Sequence, residues 1–217
     1  MGDRGGAGRR PGGRTGHDDE VVRLLEQVLR NAPLDHEQRG RIALKLARAA
    51  VETLHAQDVL DPLLAVPTEL LPARTRSELR FWLSLLLNQT GDDPVRQRRL
   101  TEEAVAELDD RPDLKAWAMV GLGIPIGAPD VPLAEHLRWL RRSLELLGQV
   151  SDPALEVLLL GKVARVLISV GDHTWRRLSD QMLARTGAPG PLACRASGAR
   201  STRTSRSGWR LATPATT

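Results

Sequence analysis

The histidines and the cysteine are the side chains of this sequence best suited to bind a metal ion or to act as a nucleophile. They are His17, His36, His55, His136, His173 and Cys194. Zinc sites place such ligands at short fixed spacings, and neither a His-Glu-x-x-His motif nor two histidines four residues apart occurs here. Glu135 with His136, and Asp172 with His173, are adjacent residues that do not share a helix face. We therefore predict no metal site, and we expect capping or surface roles for these histidines.

Two glycine-containing stretches resemble nucleotide-binding loops in outline. A phosphate-binding loop follows the pattern GxxxxGK[ST], but Gly161 and Lys162 are followed by Val163, and Glu156 stands where the first glycine belongs. Residues 121–127 (GLGIPIG) have one residue too many for a dinucleotide-binding loop and follow no predicted strand. We therefore predict a helix around Gly161, a helix terminus at 121–127, and no cofactor-binding residues.

Acidic pairs and tryptophans are the remaining candidates for chemistry. Paired catalytic carboxylates stand on opposing walls of a cleft, whereas residues 102–103 and 109–110 are acidic neighbours on a polar helix and at its end. Four tryptophans lie in helical apolar patterns: Trp82, Trp117, Trp139 and Trp175. That setting indicates core packing rather than a platform on which nucleic-acid bases stack. No catalytic residue emerges, and we predict that the chain is not an enzyme.

The elements that carry these residues follow one pattern, which is clearest between Asp152 and Leu183. Asp152 is a suitable helix cap, and a proline follows it at the first helical position. Apolar residues then occupy two faces of a long helix, centred on Leu159 and Leu160, which predicts that this helix is covered on two sides. Gly171 is expected to end it in the left-handed conformation, and a more polar helix follows.

Weaker versions of this unit precede it at a period of 39 residues. Helix-like segments begin at Asp35, Arg74, Asp113 and Asp152, and apolar residues recur at equivalent places within them. Self-similarity at such a period is the signature of helical repeats whose neighbours bury one another's faces. We predict an all-α fold of stacked antiparallel helix pairs, a tetratricopeptide-like α-solenoid; the alternative is an irregular helical bundle. The predicted helices are 18–31, 36–56, 59–66, 74–89, 94–108, 112–122, 133–148, 152–170 and 173–183, with Asp18, Asp19 and Asp35 as caps.

Charge is spread unevenly along the chain and divides it into three parts. Residues 1–17 carry a net charge of +3 and residues 185–217 a net charge of +6, so the chain's +4 leaves −5 for residues 18–184. The ends are rich in Gly, Arg, Ser and Thr and lack helical periodicity. We predict disordered basic tails at 1–17 and 187–217 around a helical-repeat domain at 18–186. A mildly acidic core argues against a nucleic-acid-binding face on the helical domain. For the basic tails two alternatives stand: they bind DNA, or they have no role.

The cellular setting follows from a few absences in the sequence. A single cysteine excludes a disulfide framework and suits a reducing compartment. The N-terminus has no apolar segment of the secretory kind, and the most apolar run, 154–170, contains three charged residues, too many for a membrane span. We therefore expect a cytoplasmic protein without membrane association.

Residues 20–184 resemble the helical-repeat region of large ATP-binding bacterial transcription regulators of the LuxR type. Two stretches carry the resemblance: RSELRFWLSLLLNQTGDDPVRQRRLTEEAVAEL from Arg76 and DPALEVLLLGKVARVLISVGDHTWRRLSDQML from Asp152. In that family an ATPase module precedes the repeats and a helix-turn-helix DNA reader follows them. This chain has no phosphate-binding loop, and its basic tail does not follow a helix-turn-helix pattern. The family's ATP and DNA activities are therefore not carried over, and none of its functional residues maps onto a position here.

These observations favour a non-catalytic scaffold that binds a protein partner or a small effector. The alternative is a DNA-associated protein that acts through its Arg-rich tails. We further expect either a piece of a longer regulator or a natural short repeat protein with tails. In the first case the last helix pair would expose an apolar face that favours self-association, drawn from Val157, Leu160, Leu167 and Met182.

Overall fold

The computed structural model describes residues 15–53, 55–125 and 130–186, and all regular structure within these ranges is helical. The α-helices are α1 (Thr15–Asn31), α2 (His36–Thr53), α3 (Ala56–Leu64), α4 (Ala73–Thr90), α5 (Pro94–Glu107), α6 (Pro112–Gly123), α7 (Leu133–Leu146), α8 (Pro153–Ser169) and α9 (Trp175–Thr186). Short 3₁₀ helices occupy Thr68–Leu70 and Leu147–Gln149. Each helix predicted from apolar periodicity is present within about one turn of its predicted bounds, so the all-α prediction is confirmed. Apart from the first residues of α1, the predicted tails lie outside the described residues.

Side-chain caps fix several of the helix starts. The Asp35 carboxylate accepts a hydrogen bond from the Gln38 backbone N–H at 2.7 Å, and the Gln38 side chain accepts one from the Asp35 N–H at 3.2 Å. This reciprocal capping box satisfies two backbone donors at the start of α2. Asp152 caps α8 by accepting from the Ala154 N–H at 2.9 Å, as predicted. The predicted capping by Asp18 and Asp19 is wrong, because α1 already begins at Thr15 and both residues lie inside the helix.

Two helices end at a glycine with a positive φ angle. Gly91 (φ +73°) follows α4, and Gly171 (φ +74°) follows α8. Side chains rarely adopt this conformation, so a glycine allows the chain to reverse immediately. The connection of residues 91–93 is too short to return to the start of α4. α5 therefore runs back antiparallel along α4, as the sequence predicts for a helix pair.

Packing is extensive within three such pairs, whereas α2 packs mainly on α1 and α4 and only lightly on α3. α4 packs extensively on α5, α6 on α7, and α8 on α9. Further contacts join α2 to α4, α5 to α6, and α6 to α8. This arrangement leaves α6 in contact with helices on both sides.

The buried apolar residues form two clusters that meet at α6. One cluster extends from α1 to α6 and includes Phe81 and Leu122; the other extends from α6 to α9 and includes Val120 and Leu159. Both apolar faces of α8 are largely buried, which confirms their predicted coverage. The exposed apolar residues of α8 are not the ones predicted for the last helix pair. Leu160 and Leu167 are buried, and Val157 and Met182 are half-buried. Leu158 and Ile168 are exposed instead.

Candidate functional site

The candidate site is built around α6, whose sequence PDLKAWAMVGLG is apolar on most sides after its two charged residues, Asp113 and Lys115. Its residues divide between the two core clusters, with Leu114, Met119 and Leu122 in one and Ala116 and Val120 in the other. A helix that is apolar all round is covered on several sides. Its small residues also allow neighbouring helices to approach closely. α6 is consequently the wall that α4, α5 and α8 share.

Three aromatic rings form one side of this region. Phe81 stands edge-on to Trp82 and to Trp117, with ring centroids 5.1 Å and 5.6 Å apart, and the two tryptophans are 6.0 Å apart. Such T-shaped contacts add about 0.5–1.5 kcal/mol each to the burial of the rings. Phe81 and Trp82 are buried, so the predicted core role of Trp82 is confirmed. Trp117 is only half-buried, and its exposed part faces a groove.

The groove between α4, α5, α6 and α8 has a volume of about 160 Å³. Its lining combines aromatic and aliphatic side chains with polar ones; Phe81, Ser84 and Thr101 are buried, and Trp117 is half-buried. The described lining residues are Phe81, Ser84, Leu85, Asn88, Gln97, Thr101, Trp117, Ala118, Val120, Gly121, Ile124 and Lys162. An apolar concavity with a few polar groups at its edge is the usual form of a ligand site in proteins.

Most polar groups of the groove are already satisfied by their own helices. The Ser84 hydroxyl donates to the Phe81 carbonyl at 2.7 Å, and the Thr101 hydroxyl donates to the Gln97 carbonyl at 2.8 Å. The Gln97 side chain in turn donates to the Thr101 hydroxyl at 3.3 Å. The Asn88 amide and the Lys162 ammonium make no side-chain hydrogen bond or ion pair with any described residue. These two groups are the ones that remain available to a ligand.

Lys162 is the only charged residue in the described lining. Lys162 lies in the middle of α8, which confirms that residues 161–162 belong to a helix and not to a phosphate-binding loop. The structure shows Lys162 half-buried at the groove. Nothing in the local sequence marked it as special, because its setting depends on how α8 packs against α6. The terminus predicted at 121–127 is confirmed where α6 ends at Gly123, and its last two residues, 126 and 127, lie outside the described ranges.

The acidic pairs considered above as catalytic candidates are held in ion pairs. Their described partners are Arg98 for Glu102, Arg80 and Arg99 for Glu103, Lys115 for Asp109 and Arg74 for Asp110. Arg80 Nε lies 3.2 Å from the Glu103 carboxylate but lacks the angle of a hydrogen bond. Arg98 also reaches Glu135 on α7 at 3.0 Å and its side chain is only 18% exposed, so it bridges two helices in addition to pairing with Glu102.

A nearly buried carboxylate anchors a second ionic cluster between α4 and α6. Glu78 is 2.7 Å from Arg111, and Arg111 binds Asp113 through two hydrogen bonds of 3.0 Å and 2.8 Å. These bonds lower the pKa of Asp113 below its ordinary value and raise that of Arg111, because each partner stabilises the charged form of the other. Paired charges of this kind connect α4 to the start of α6.

The histidines occupy different environments. Of the two roles predicted for His136, capping or surface, the structure shows the first. His136 is buried, and its Nδ1 atom hydrogen-bonds the Leu122 carbonyl at the end of α6, at 2.8 Å. His55 lies between Asp19 (2.9 Å) and Asp58 (3.1 Å). Both hydrogen bonds raise the pKa of His55, and the bond with Asp19 has the larger effect. His36 and His173 are exposed. Within the described ranges no three His, Cys, Asp or Glu side chains come together to hold a metal ion, and Cys194 lies outside them.

Comparison with known proteins gave no match to a protein-family model, a curated protein or a solved structure. The likeness to the repeat region of LuxR-type regulators therefore rests on the sequence alone. Among the helices that the structure describes, none combines the length and the apolar character that crossing a membrane requires.

Proposed function

We propose that residues 18–186 form a non-catalytic helical-repeat scaffold that binds a protein partner or a small effector in the groove beside α6. The proposal includes a tetratricopeptide-like stack of antiparallel helix pairs as the architecture of this scaffold. Packing of α4 with α5, α6 with α7 and α8 with α9 supports it, as do the contacts of α2 with α4 and α6 with α8. In such a stack, binding results from the shape of the surface that neighbouring pairs create together.

The observation that carries the proposal is the contrast between the groove and the other polar clusters. Each acidic pair described above has arginine or lysine partners, whereas Lys162 and Asn88 have no described partner and line the groove together with Trp117. A ligand bound in the groove would pair with a cation that no described residue neutralises. The groove is therefore the concavity that we propose for recognition.

The biological setting belongs to the same proposal. The resemblance to LuxR-type regulators favours a role in bacterial transcription regulation, and the reducing compartment inferred from one cysteine favours the cytoplasm. The chain would act as a repeat region that senses or docks, and we expect it neither to bind nor to hydrolyse ATP. Calorimetric titration with ATP tests this point, and micromolar affinity would contradict it.

The groove is tested by a fragment screen observed with nitrogen-15-labelled protein. We expect bound fragments to shift the backbone signals of α4, α6 and α8, and the same fragments to lose affinity for Gly121→Leu. A Cβ atom at Gly121 meets no atom within 4 Å, so a larger side chain there would fill the groove without a backbone clash. Hits that map to other surfaces and bind the variant equally well would remove the proposal.

A second candidate function, DNA association through the tails, is favoured by their net charges of +3 and +6. Phosphate contacts make such binding steeply dependent on salt. Fluorescence anisotropy with duplex DNA, for the whole chain and for the chain lacking residues 1–17 and 187–217, tests it. Salt-sensitive binding that disappears with the tails supports this function, and binding that survives their removal contradicts it.

A further inference from the structure

The size of the groove limits what it accepts. A dry cavity of about 150 Å³ holds one benzene molecule, whereas sites for drug-sized ligands measure about 300–1,000 Å³. The groove beside α6 has about 160 Å³. It therefore accommodates one apolar group of the size of a benzene ring or a branched alkyl chain. The half-buried Trp117 offers the aromatic surface against which such a group packs, and the buried Phe81 ring supports Trp117 edge-on from behind.

The charge of the groove is equally restrictive. Lys162 supplies one positive charge, and no Asp or Glu is present in the described lining. A ligand with one negative charge restores the ion pair that Lys162 lacks, and the Asn88 amide offers a further donor beside it. An ammonium ligand would be repelled, and a neutral ligand would leave Lys162 unpaired. Multiply charged phosphates are bound by several cations or by the fork of an arginine, which this lining does not contain.

We infer that the groove selects small monocarboxylic acids whose apolar body is about as large as a benzene ring. The ring would pack on Trp117, and the carboxylate would pair with the Lys162 ammonium. This inference rests on the proposed function, because it names the ligand class of the same groove.

The test is a titration of the full chain with benzoate, followed through the indole N–H signal of Trp117 in nitrogen-15 spectra. Loss of that signal in Trp117→Phe identifies it. Benzamide and benzylamine serve as neutral and cationic probes of nearly the same shape. We expect benzoate to shift the signal saturably, benzamide to bind more weakly, and benzylamine not to bind.

Variants separate the charge of Lys162 from the shape of the groove. Lys162→Met should weaken benzoate binding roughly tenfold to a hundredfold, the equivalent of one charge-assisted hydrogen bond, with little effect on benzamide. Lys162→Glu should reverse the preference in favour of benzylamine. Lys45→Met removes the same charge from an exposed position on α2 and should leave every affinity unchanged.

Each outcome decides a defined question. Equal affinity for benzoate and benzamide, with no effect of Lys162→Met, would overturn the carboxylate inference while leaving the groove as a binding site. The absence of any saturable shift with benzoate would also overturn the inference. The proposed function is judged separately by the fragment screen, because other fragments can still occupy the groove and be displaced by Gly121→Leu. Saturable binding that depends on Lys162 supports the inference.

Discussion

Two glycines in the last turn of α6 give a sharp test of the packing around the groove. At Gly123 an added Cβ atom would lie 2.3 Å from Leu140 Cδ2, 2.5 Å from Leu140 Cγ and 3.3 Å from the His136 carbonyl. Leu140 is only 1% exposed, and contact at its Cγ atom means that a rotation of its methyl groups cannot relieve the clash. At Gly121 the Cβ atom meets nothing within 4 Å.

The expected magnitude follows from two opposing contributions. Replacing a helical glycine with alanine stabilises the folded state by about 0.5–1 kcal/mol through backbone entropy. Forcing an extra carbon into a filled core costs about 1–3 kcal/mol. Gly121→Ala should therefore raise the free energy of unfolding, and Gly123→Ala should lower it. Because both residues lie in the same turn, the entropic contribution cancels in the difference between the variants, which leaves about 1–3 kcal/mol of packing strain.

The measurement is urea denaturation of both variants and the parent chain, followed by circular dichroism of the helices. We expect the midpoint to rise for Gly121→Ala and to fall for Gly123→Ala, with the same dependence of the free energy on urea. Equal midpoints for the two variants would show that α7 does not press on α6 as described. That result would refute the packing argument at its most closely fitted point.

Three further perturbations test the core, the ionic cluster and the histidine contacts. Leu159→Asp should unfold the chain, because an unpaired carboxylate at a fully buried position costs several kcal/mol, whereas Leu158→Asp at the exposed neighbouring residue should keep the helical circular dichroism signal. Arg111→Met should lower the free energy of unfolding by about 2–4 kcal/mol, because the nearly buried Glu78 carboxylate then loses its closest cation. Glu78→Gln in the same background should restore part of that loss. The absence of any recovery in chemical denaturation would contradict this account. His55 has a raised pKa in the folded state, so its stabilising effect is complete below its ordinary value of 6.5 and is lost as the pH rises through the raised value. His55→Gln should therefore lower the melting temperature at about pH 5.5 and not at about pH 9, and an equal loss at both would refute the assignment.

Local sequence was sufficient to predict the helices because their signals lie within a few residues of one another. Asp152 and the proline after it mark the start of α8, the apolar spacing continues through it, and Gly171 marks its end. Each of these features acts through the backbone of the helix that contains it. The start of α1 was predicted too late because an aspartate such as Asp18 is equally suitable for the first turn of a helix that begins earlier.

Burial of polar residues was not predictable in the same way, because it depends on what lies across from a helix. His136 and Arg98 both occupy positions that resemble surface residues within their own helices. His136 is buried because its ring meets the end of α6, and Arg98 is partly buried because it reaches across to Glu135. The partners are distant in sequence, so a helical pattern contains no sign of them.

The groove is an extreme case of this limitation, since its walls come from four helices between Phe81 and Lys162. Its shape depends on the placement of α6, and two contacts with α7 fix that placement: the hydrogen bond from His136 to the Leu122 carbonyl and the packing of Leu140 against Gly123. The first contact satisfies a carbonyl at the helix end, and the second sets how closely the helices approach. On the opposite side of the same turn, Gly121 leaves the space that opens into the groove. A change that displaces α7 must therefore move the wall that carries Trp117, even though no residue of α7 is among the described lining residues. Ligand affinity is then coupled to core packing, and Gly123→Ala should weaken ligand binding as well as lower stability.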